Sequence, residues 1–462
     1  MKTLNQTILT LPLLFVAGQL SAKTTQGRPN VILILADDMG YAGVSHFGGK
    51  GISTPALDKI AKEGIVCTNF HTNAPVSSPT RVSILTGMYQ QRTGLDHIYS
   101  AKDPMDGLDP NKYITFVKML QDEGYRTVLF GKWHLGQDVS FNPTNFGFDK
   151  FNGFVMGNID LISHQNTLRN VDWWQNKVVK DEPGYATTLI NNHAIDFIKD
   201  SKDQPFFMMI AHAAIHVPMQ GPNDAPIRTS TEYAYRNDVK MDTTEYRRRY
   251  REMVSSIDDG LQGILKELEL EGKRENTIII FLSDNGAEEI ATKKYPLPNG
   301  NFRGWKGQVY EGGIRVPAIF SYPKLIKQPK VSEQLMMSMD LMPTILKLCG
   351  VKNKTSKIDG VDLTATLLKG KKLKPRKVYW ANRGLCAMSD GDWKLVWTDK
   401  SAELFNIKSD PYEKNDLSVN KENISRVNIM KMDINNWWLD VTKGNKLESK
   451  TIFSLKVNLS TE

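Results

Sequence analysis

The sequence has few cysteines and few long apolar segments for its length. Only Cys67, Cys349 and Cys386 occur among 462 residues, which excludes a disulfide-rich scaffold and permits one disulfide at most. The hydrophobic fraction of 40% and the charged fraction of 24% exclude a disordered or collagen-like chain. A net charge of +8 suits anionic partners but, spread over this length, is not a nucleic-acid-binding signature. Burial of apolar side chains must therefore stabilise the fold.

The first 22 residues have the layout of a secretory signal peptide. Lys2 precedes an apolar stretch over Ile8–Ala17, and Ala22 supplies a small residue at the expected cleavage point. This stretch is shorter than the ~20 residues that a membrane span needs, and no later run is long enough. We therefore expect a chain that is exported and has no membrane span; a disordered polar N-terminus is the alternative.

Four continuous apolar runs predict strands that are buried on both faces, as in parallel sheets. These runs are Asn30–Ala36, Arg126–Phe130, Phe206–Ala211 and Thr277–Leu282. Helical patterns separate them, at Pro55–Glu63 with Thr54 as N-cap, Phe116–Glu123, Ala186–Lys199 and Thr244–Gly272. The alternation predicts an α/β fold with a large, mostly parallel sheet flanked by helices.

The pattern changes after about Pro375, which predicts a smaller C-terminal α+β subdomain. Short aromatic-rich strands separated by turns, including a turn at residues 389–391, favour an antiparallel sheet followed by one helix. The strands are predicted at Val378–Ala381, Trp393–Trp397 and Leu404–Ile407, and the helix at Ile424–Leu439. We therefore expect a signal peptide over residues 1–22, a main domain over 23–375 and a C-terminal subdomain over 376–462. The basic tract Lys369–Lys377 is the candidate linker, with a surface loop as the alternative.

The predicted strands end in polar residues, and chemistry in such sheets collects at the carboxyl ends of the strands. Four oxygen-bearing residues, here called the oxygen cluster, follow two of these strands: Asp37, Asp38, Asp284 and Asn285. Oxygen ligands without cysteine or histidine favour Ca²⁺ or Mg²⁺ over zinc, and Ca²⁺ tolerates irregular geometry better. An Asp-Asp pair alone would be read as a turn or a helix cap. The second pair, Asp-Asn, makes a metal site the better interpretation.

A second candidate site is the segment Ser77-Ser78-Pro79-Thr80-Arg81. Serine followed by proline predicts a helix start at Ser77, with Arg81 one turn further along. A helix N-terminus attracts anions, and an arginine binds an oxyanion bidentately. Taken alone, these five residues favour plain helix capping.

Taken together, the motifs resemble the type I sulfatase family of the alkaline phosphatase superfamily. The family's nucleophile motif (Cys or Ser, any residue, Pro, any residue, Arg) is matched by residues 77–81. The resemblance continues through residues 85–87 (LTG), 131–136 (GKWHLG), 283–286 (SDNG), 306–307 (KG), 311–317 (EGGIRVP), 403–406 (ELFN) and 410–413 (DPYE). It runs from about Asn30 to Leu417 and implies an alkaline phosphatase-like fold with a large mixed sheet.

The resemblance also implies a mechanism and a role for each matched residue. Ser77 would be converted to Cα-formylglycine, whose hydrated aldehyde attacks sulfur, and the oxygen cluster would hold one Ca²⁺. Arg81 and Lys132 would hold the formylglycine, and His134 would act as the base that releases sulfate. His216 and Lys306 would contact sulfate and assist departure of the alcohol. His212 competes with His216 for this role, and Arg303 competes with Lys306.

Ser77 replaces the cysteine that is commonest in the family. Cys67 lacks the Pro and Arg at the required spacing, and so is not the nucleophile. By resemblance, Ser-type enzymes depend on a radical S-adenosylmethionine maturase that works without oxygen. This implies a bacterium, expected to be Gram-negative, and places the exported chain in the periplasm or outside the cell.

The substrate implied by the resemblance is a sulfated carbohydrate, such as a glycosaminoglycan, mucin or algal saccharide, attacked by exo action. Candidate sugar contacts are Asp96, His97, His164, Arg383 and Trp393, each of which a structural role explains equally well. His71 is interpreted as structural. Two alternatives stay open: a phosphoric-ester or phosphonate hydrolase of the same superfamily, and a glycan-binding pseudoenzyme whose Ser77 is never converted.

Overall fold

The computed structural model describes residues 27–99, 102–229 and 236–454. The predicted signal peptide lies outside the described residues. Within the described part, no helix combines the length and apolarity needed to cross a bilayer.

The strands of the described residues are, in chain order, β1 (Asn30–Ala36), β2 (Ile65–Cys67), β3 (Phe70–His71), β4 (Arg126–Lys132), β5 (Lys150–Phe154), β6 (Trp174–Gln175), β7 (Val178–Val179), β8 (Phe206–Ala211), β9 (Thr277–Ser283), β10 (Ala318–Ser321), β11 (Lys330–Ser332), β12 (Met336–Met337), β13 (Lys377–Asn382), β14 (Leu385–Asp390), β15 (Trp393–Trp397) and β16 (Ala402–Asn406). The α-helices are α1 (Pro55–Glu63), α2 (Ser77–Thr86), α3 (Phe116–Asp122), α4 (Ala186–Asp200), α5 (Thr243–Leu270), α6 (Glu289–Lys294), α7 (Glu311–Ile314), α8 (Leu341–Leu348), α9 (Thr364–Lys369) and α10 (Ile424–Thr442).

A ten-stranded sheet, ordered β11-β2-β10-β9-β1-β8-β4-β5-β6-β7, forms the centre of the fold. Its middle strands β9, β1, β8, β4 and β5 are all parallel, whereas β10 runs antiparallel between β2 and β9. The register aligns Leu33 of β1 with Met209 of β8 and Ile280 of β9, so the carboxyl ends of these strands meet at one edge. The predicted large mixed, mostly parallel sheet is confirmed.

Both faces of the middle strands β1, β8 and β9 are buried, which explains why these strands are apolar at successive positions. Leu33 and Leu35 of β1 face one hydrophobic cluster, together with residues of α2, α3 and α8. Ile32 and Ile34 face the other, together with residues of α1, α4 and α5. Thr54 precedes α1 as predicted, but its side chain contacts Ser45 and Asp58 instead of capping the helix.

The C-terminal part forms the predicted antiparallel sheet, in the order β13-β14-β15-β16, with α10 packed on it. The turn prediction at residues 389–391 is wrong in part, because β14 continues to Asp390 and the chain turns at Gly391, where φ is +59°. A third apolar cluster joins this sheet to Tyr89, Ile314 and Met337 of the preceding chain. The domain boundary near residue 375 stays a prediction.

Candidate active site

The two polar pairs of the oxygen cluster meet where the neighbouring strands β1 and β9 end. Asp37 and Asp38 directly follow β1, and Asp284 and Asn285 directly follow β9. The Asn285 side chain donates from Nδ2 to Asp38 Oδ1 over 2.7 Å. The backbone N–H of Asp38 donates to Asp284 Oδ1 over 3.3 Å. The structure therefore brings the oxygen cluster together.

Ser77 lies at the first position of α2 and reaches this cluster. Its Oγ donates to Asp37 Oδ1 over 3.1 Å and lies 3.4 Å from Asn285 Oδ1. The unpaired backbone N–H groups and the dipole at this helix end favour negative charge beside the side chain. Ser77 therefore lies at a helix N-terminus and beside two members of the oxygen cluster.

Two buried cations, Arg81 and Lys132, balance the carboxylates. Arg81 donates from Nε and Nη2 to Asp284 Oδ2 over 3.2 and 2.8 Å, and from Nη1 to the carbonyl of Lys132 over 3.1 Å. Lys132, the last residue of β4, donates to Asp37 Oδ2 over 2.5 Å. Both cations therefore contact carboxylates of the oxygen cluster.

His134 follows β4 in a left-handed backbone conformation, with a φ of +59°. Its Nδ1 is buried without a hydrogen-bond partner in the structure. A Cβ on Gly157 would lie 2.7 Å from His134 Nε2, so a side chain at position 157 would displace the ring. Burial, with the nearby charges of Lys132 and Arg81, lowers the pKa of His134 well below its ordinary value. The imidazole is therefore neutral and able to accept a proton.

His216 lies beside Asp38, whereas His212 is not among the residues that line the cavity. The distance from His216 Nε2 to Asp38 Oδ2 is 3.7 Å, and its Nδ1 lies 2.7 Å from the Val217 carbonyl. Burial and the charge of Lys306 lower the pKa of His216 well below its ordinary value. In the neutral ring, Nδ1 donates to the carbonyl and leaves Nε2 as the acceptor.

Lys306 also contacts Asp38. It contacts a second carboxylate, that of Glu288, which the sequence did not indicate. Its Nζ donates to Asp38 Oδ2 over 2.9 Å and to Glu288 Oε1 over 3.2 Å. Although burial opposes the charge, these carboxylates raise the pKa of Lys306 above its ordinary value. Arg303 instead pairs with Glu403 over 3.0 Å, outside the site. Only its place three residues after Asn285 could have drawn attention to Glu288.

Ser77, His134, His216 and Lys306 line one cavity of about 880 Å³. This volume is in the range of small-molecule binding sites. Of the candidate sugar contacts, His97 and Arg383 line the cavity, and Asp96 holds His97 Nδ1 at 2.5 Å.

The other two candidate sugar contacts, His164 and Trp393, are not among the residues that line this cavity. His164 is buried and stacks on Trp173 with 4.5 Å between ring centroids. Trp393 lies in β15 under the guanidinium of Arg426, at 4.2 Å. A structural role, the alternative for both residues, fits these positions.

The donor set of the oxygen cluster fits a hard divalent cation. Its three carboxylates and one amide are all buried. Burial raises the pKa of Asp38 well above its ordinary value even though the Lys306 ammonium is adjacent, so further positive charge would be stabilising here. A ligand nitrogen of His216 lies within 4.8 Å of carboxylate oxygens of Asp37 and Asp38, beside the cluster.

Two family models match the chain. One, described as Sulfatase, matches residues 29–351, and one described as N-sulphoglucosamine sulphohydrolase, C-terminal, matches residues 302–438. The chain is 33% identical over 414 residues to N-acetylgalactosamine-6-sulfatase of Rattus norvegicus, which covers 84% of this chain and 75% of that protein. It is 31% identical to arylsulfatase J of Mus musculus, with 85% and 73% covered.

Solved structures share the fold. The crystal structure of Ps i-CgsB in complex with k-i-k-neocarrahexaose has a TM-score of 0.79 and 28% identity, covering 91% of this chain and 94% of that one. A phosphonate monoester hydrolase of Agrobacterium radiobacter, at 18% identity and a TM-score of 0.65, shares the fold alone. The ordered motifs, the sheet and the matched family model agree, and this chain belongs to the sulfatase family of sulfuric ester hydrolases, with an alkaline phosphatase-like fold.

Proposed function

We propose that this chain is an exported sulfatase that removes sulfate from a carbohydrate, using Ser77 converted to formylglycine and one Ca²⁺. The observation that carries the proposal is the position of Ser77 Oγ, at a helix N-terminus and 3.1 Å from Asp37 Oδ1. Two of the named proteins, an N-acetylgalactosamine-6-sulfatase and Ps i-CgsB in complex with k-i-k-neocarrahexaose, support a saccharide as the leaving group.

The chain's own residues would divide the chemistry between nucleophile and leaving group. Ca²⁺ held by the oxygen cluster would supply positive charge to the sulfate oxygens, and the hydrated aldehyde at position 77 would supply the attacking hydroxyl. Arg81 and Lys132 hold the carboxylates of the cluster in place and offset their charge. The neutral ring of His134 accepts the proton of the second hydroxyl when sulfate is released.

His216 and Lys306 lie on the side of Asp38 that opens to the cavity, where the alcohol would depart. The charged Nζ of Lys306 stabilises negative charge that develops on the leaving oxygen. The Nε2 of His216 hydrogen-bonds sulfate or the alcohol, depending on its protonation. Glu288 holds Lys306 in this position through the 3.2 Å contact.

Export and maturation complete the proposal. The N-terminal pattern supports delivery to the periplasm or outside the cell, and a serine at position 77 supports a radical S-adenosylmethionine maturase as a partner. Oxidation of the serine alcohol to an aldehyde removes two hydrogens, so maturation has a direct mass signature.

The test is co-expression with an anaerobic maturase, followed by mass analysis of the tryptic peptide over residues 63–81. We expect this peptide to be lighter by about two hydrogens, as the oxidation requires, with the change located at Ser77 by fragmentation. The matured protein should hydrolyse a member of a panel of sulfated mono- and disaccharides, and the Ser77→Ala variant should not. Chelation should abolish turnover and added Ca²⁺ should restore it.

Zinc content or turnover of phosphonate esters alone would favour the phosphatase-like alternative. Binding of sulfated sugars by an unconverted chain would favour the pseudoenzyme.

A further inference from the structure

We infer that Arg383 forms a second anion-binding subsite in the cavity, which takes an acidic group of the substrate other than the sulfate that is hydrolysed. The inference rests on the proposed function for the nature of that substrate, a sulfated saccharide. It makes the preferred substrate at least doubly anionic.

The backbone at Arg383 is unusual for this residue type. Asn382 pairs with Leu385 across β13 and β14, which leaves Arg383 and Gly384 as a two-residue turn. Both turn residues have positive φ, +49° at Arg383 and +80° at Gly384. Asn, Asp and Gly are the residues that adopt this conformation most easily at the first position of such a turn. An arginine there is strained, and strain of this kind is concentrated at functional positions.

A hydrogen bond connects the turn to the loop that carries Lys306. The buried side chain of Asn382 donates from Nδ2 to the carbonyl of Gly307 over 2.8 Å. Gly307 directly follows Lys306, and Arg383, Gly307 and Lys306 all line the cavity. The C-terminal sheet thus places Arg383 in the same cavity as the proposed leaving-group residue.

The lining of the cavity carries more basic than acidic side chains. Among its described lining residues, five are lysine or arginine and three are aspartate or glutamate. Two of the five cations, Lys306 and Arg236, also pair with acids outside this lining, Asp38 and Asp238. One of the lining acids, Glu288, already contacts two cations, Lys306 over 3.2 Å and Arg236 over 2.5 Å. The reacting sulfate is assigned to the oxygen cluster and its neighbours. A planar guanidinium elsewhere in the same cavity suits a carboxylate or a second sulfate, which it binds through two parallel hydrogen bonds.

Binding is measured by calorimetry on the calcium-loaded Ser77→Ala protein, so that the result does not depend on turnover. The probes are a monosulfated hexosamine, the same sugar with a second sulfate, and the monosulfated sugar linked to a uronic acid. We expect the disulfate or the uronate-linked sugar to bind at least ten-fold more tightly than the monosulfate. Whichever arm binds more tightly identifies the second group as sulfate or carboxylate.

Adding Arg383→Gln should remove that preference, and Arg383→Lys should restore part of it. Arg426→Gln is the matched control, because Arg426 is an exposed arginine that packs on the same small sheet at Trp393. The control should keep the preference of the parent protein. Equal affinity of the parent for all three probes would overturn the inference, as would an equal loss on every probe in Arg383→Gln.

A second readout separates binding from a structural role. Arg383→Asn replaces the strained residue by one that favours positive φ, so the melting temperature should rise while the preference for the dianionic sugars is lost. A structural arginine would instead give a lower melting temperature. If the matured enzyme hydrolyses no sulfated sugar but the ten-fold preference and its loss in Arg383→Gln are observed, the proposed function fails and the anion subsite stands.

Discussion

Two residues of the site, Asp38 and His134, have left-handed backbone conformations, with φ of +61° and +59°. Each is the second residue after a parallel strand, where the chain leaves the sheet. Non-glycine residues in this conformation cost on the order of 1 kcal/mol and persist where surrounding contacts hold them. Here this conformation places the proposed metal ligand Asp38 and the proposed base His134 at the edge of the sheet.

His134 and Lys306 are assigned to opposite ends of the reaction cycle, which separate variants can test. His134→Ala should release alcohol from an activated aryl sulfate in a burst equal to the enzyme concentration and then turn over poorly. Lys306→Ala should reduce kcat on a sugar sulfate far more than on a nitrophenyl sulfate, because nitrophenol departs without help. The measurement is the ratio of sugar to aryl rates in both variants. Equal losses on both substrates in both variants would contradict these roles.

His97 introduces a dependence of stability on pH. Hydrogen bonds to Asp106 and Asp96 raise the pKa of His97 to about 9 in the folded protein. Because the pKa of His97 is higher in the folded protein, the protonated ring stabilises the fold. This contribution is complete below the unfolded pKa of about 6.5 and is lost as the pH rises to about 9. Between these values, the melting temperature of the wild type should fall relative to that of His97→Ala. Melting curves of the two proteins that stay parallel from pH 6 to 9.5 would contradict this.

At the scale of elements, the end of β4 is held against its neighbours by close backbone packing. Gly131 has a φ of +104°, and a Cβ there would lie 2.0 Å from the carbonyl oxygen of Ala211 in β8. A Cβ on Gly153 of β5 would lie 2.1 Å from the carbonyl oxygen of Gly131. Glycine at both positions lets three strands approach, and this approach places Lys132 next to Asp37.

Gly131→Ala should therefore reduce the free energy of unfolding by about 2–4 kcal/mol, from overpacking together with the unfavourable backbone conformation. Activity should fall as well, because the strand end must shift and Lys132 shifts with it. Gly272→Ala is the control: its φ is +62° and a Cβ there meets no atom within 4 Å. It should lose about 1 kcal/mol and keep its activity. Denaturant titration and rates on one sulfate ester measure both effects, and equal destabilisation of the two variants would contradict the packing argument.

At the scale of the whole molecule, buried ion pairs join the small sheet to the large part. Lys394 of β15 lies 2.7 Å from Glu311 Oε1 and 2.8 Å from Glu413 Oε1, and all three side chains are almost fully buried. His71 Nε2 lies 3.0 Å from Glu311 Oε2 on the other side. This agrees with the interpretation of His71 as structural, since it belongs to the network and not to the cavity.

Lys394→Met should destabilise the fold by about 3–5 kcal/mol, because it removes the buried cation that Glu311 and Glu413 share. Lys408→Met is the matched control, since its side chain is exposed and lies 3.8 Å from Asp392. The control should change the free energy of unfolding by less than about 1 kcal/mol. Calorimetry measures the melting temperature of both variants. Similar melting temperatures would mean that the ion-pair network contributes little to the stability of the fold.

Local sequence determined the elements and much of the site. Apolar runs that are buried on both faces identify β1, β4, β8 and β9, because a parallel sheet covered by helices leaves no polar face. The same logic places Asp37, Asp284 and Lys132 at one edge, since parallel strands end together. The ordered motifs then identify the family.

The tertiary structure decided which side chains meet. Glu288 and Arg383 enter the cavity through contacts between residues that are distant in the sequence. Glu288 contacts Lys306, 18 residues away, and Asn382, which precedes Arg383, contacts Gly307, 75 residues away. His164, a candidate sugar contact in the sequence, is buried against Trp173. Periodicity and turn chemistry act over a few residues, whereas these contacts depend on strand order, register and the packing of loops over the sheet edge. That is the physical reason why the oxygen cluster could be predicted and the full lining of the neighbouring cavity could not.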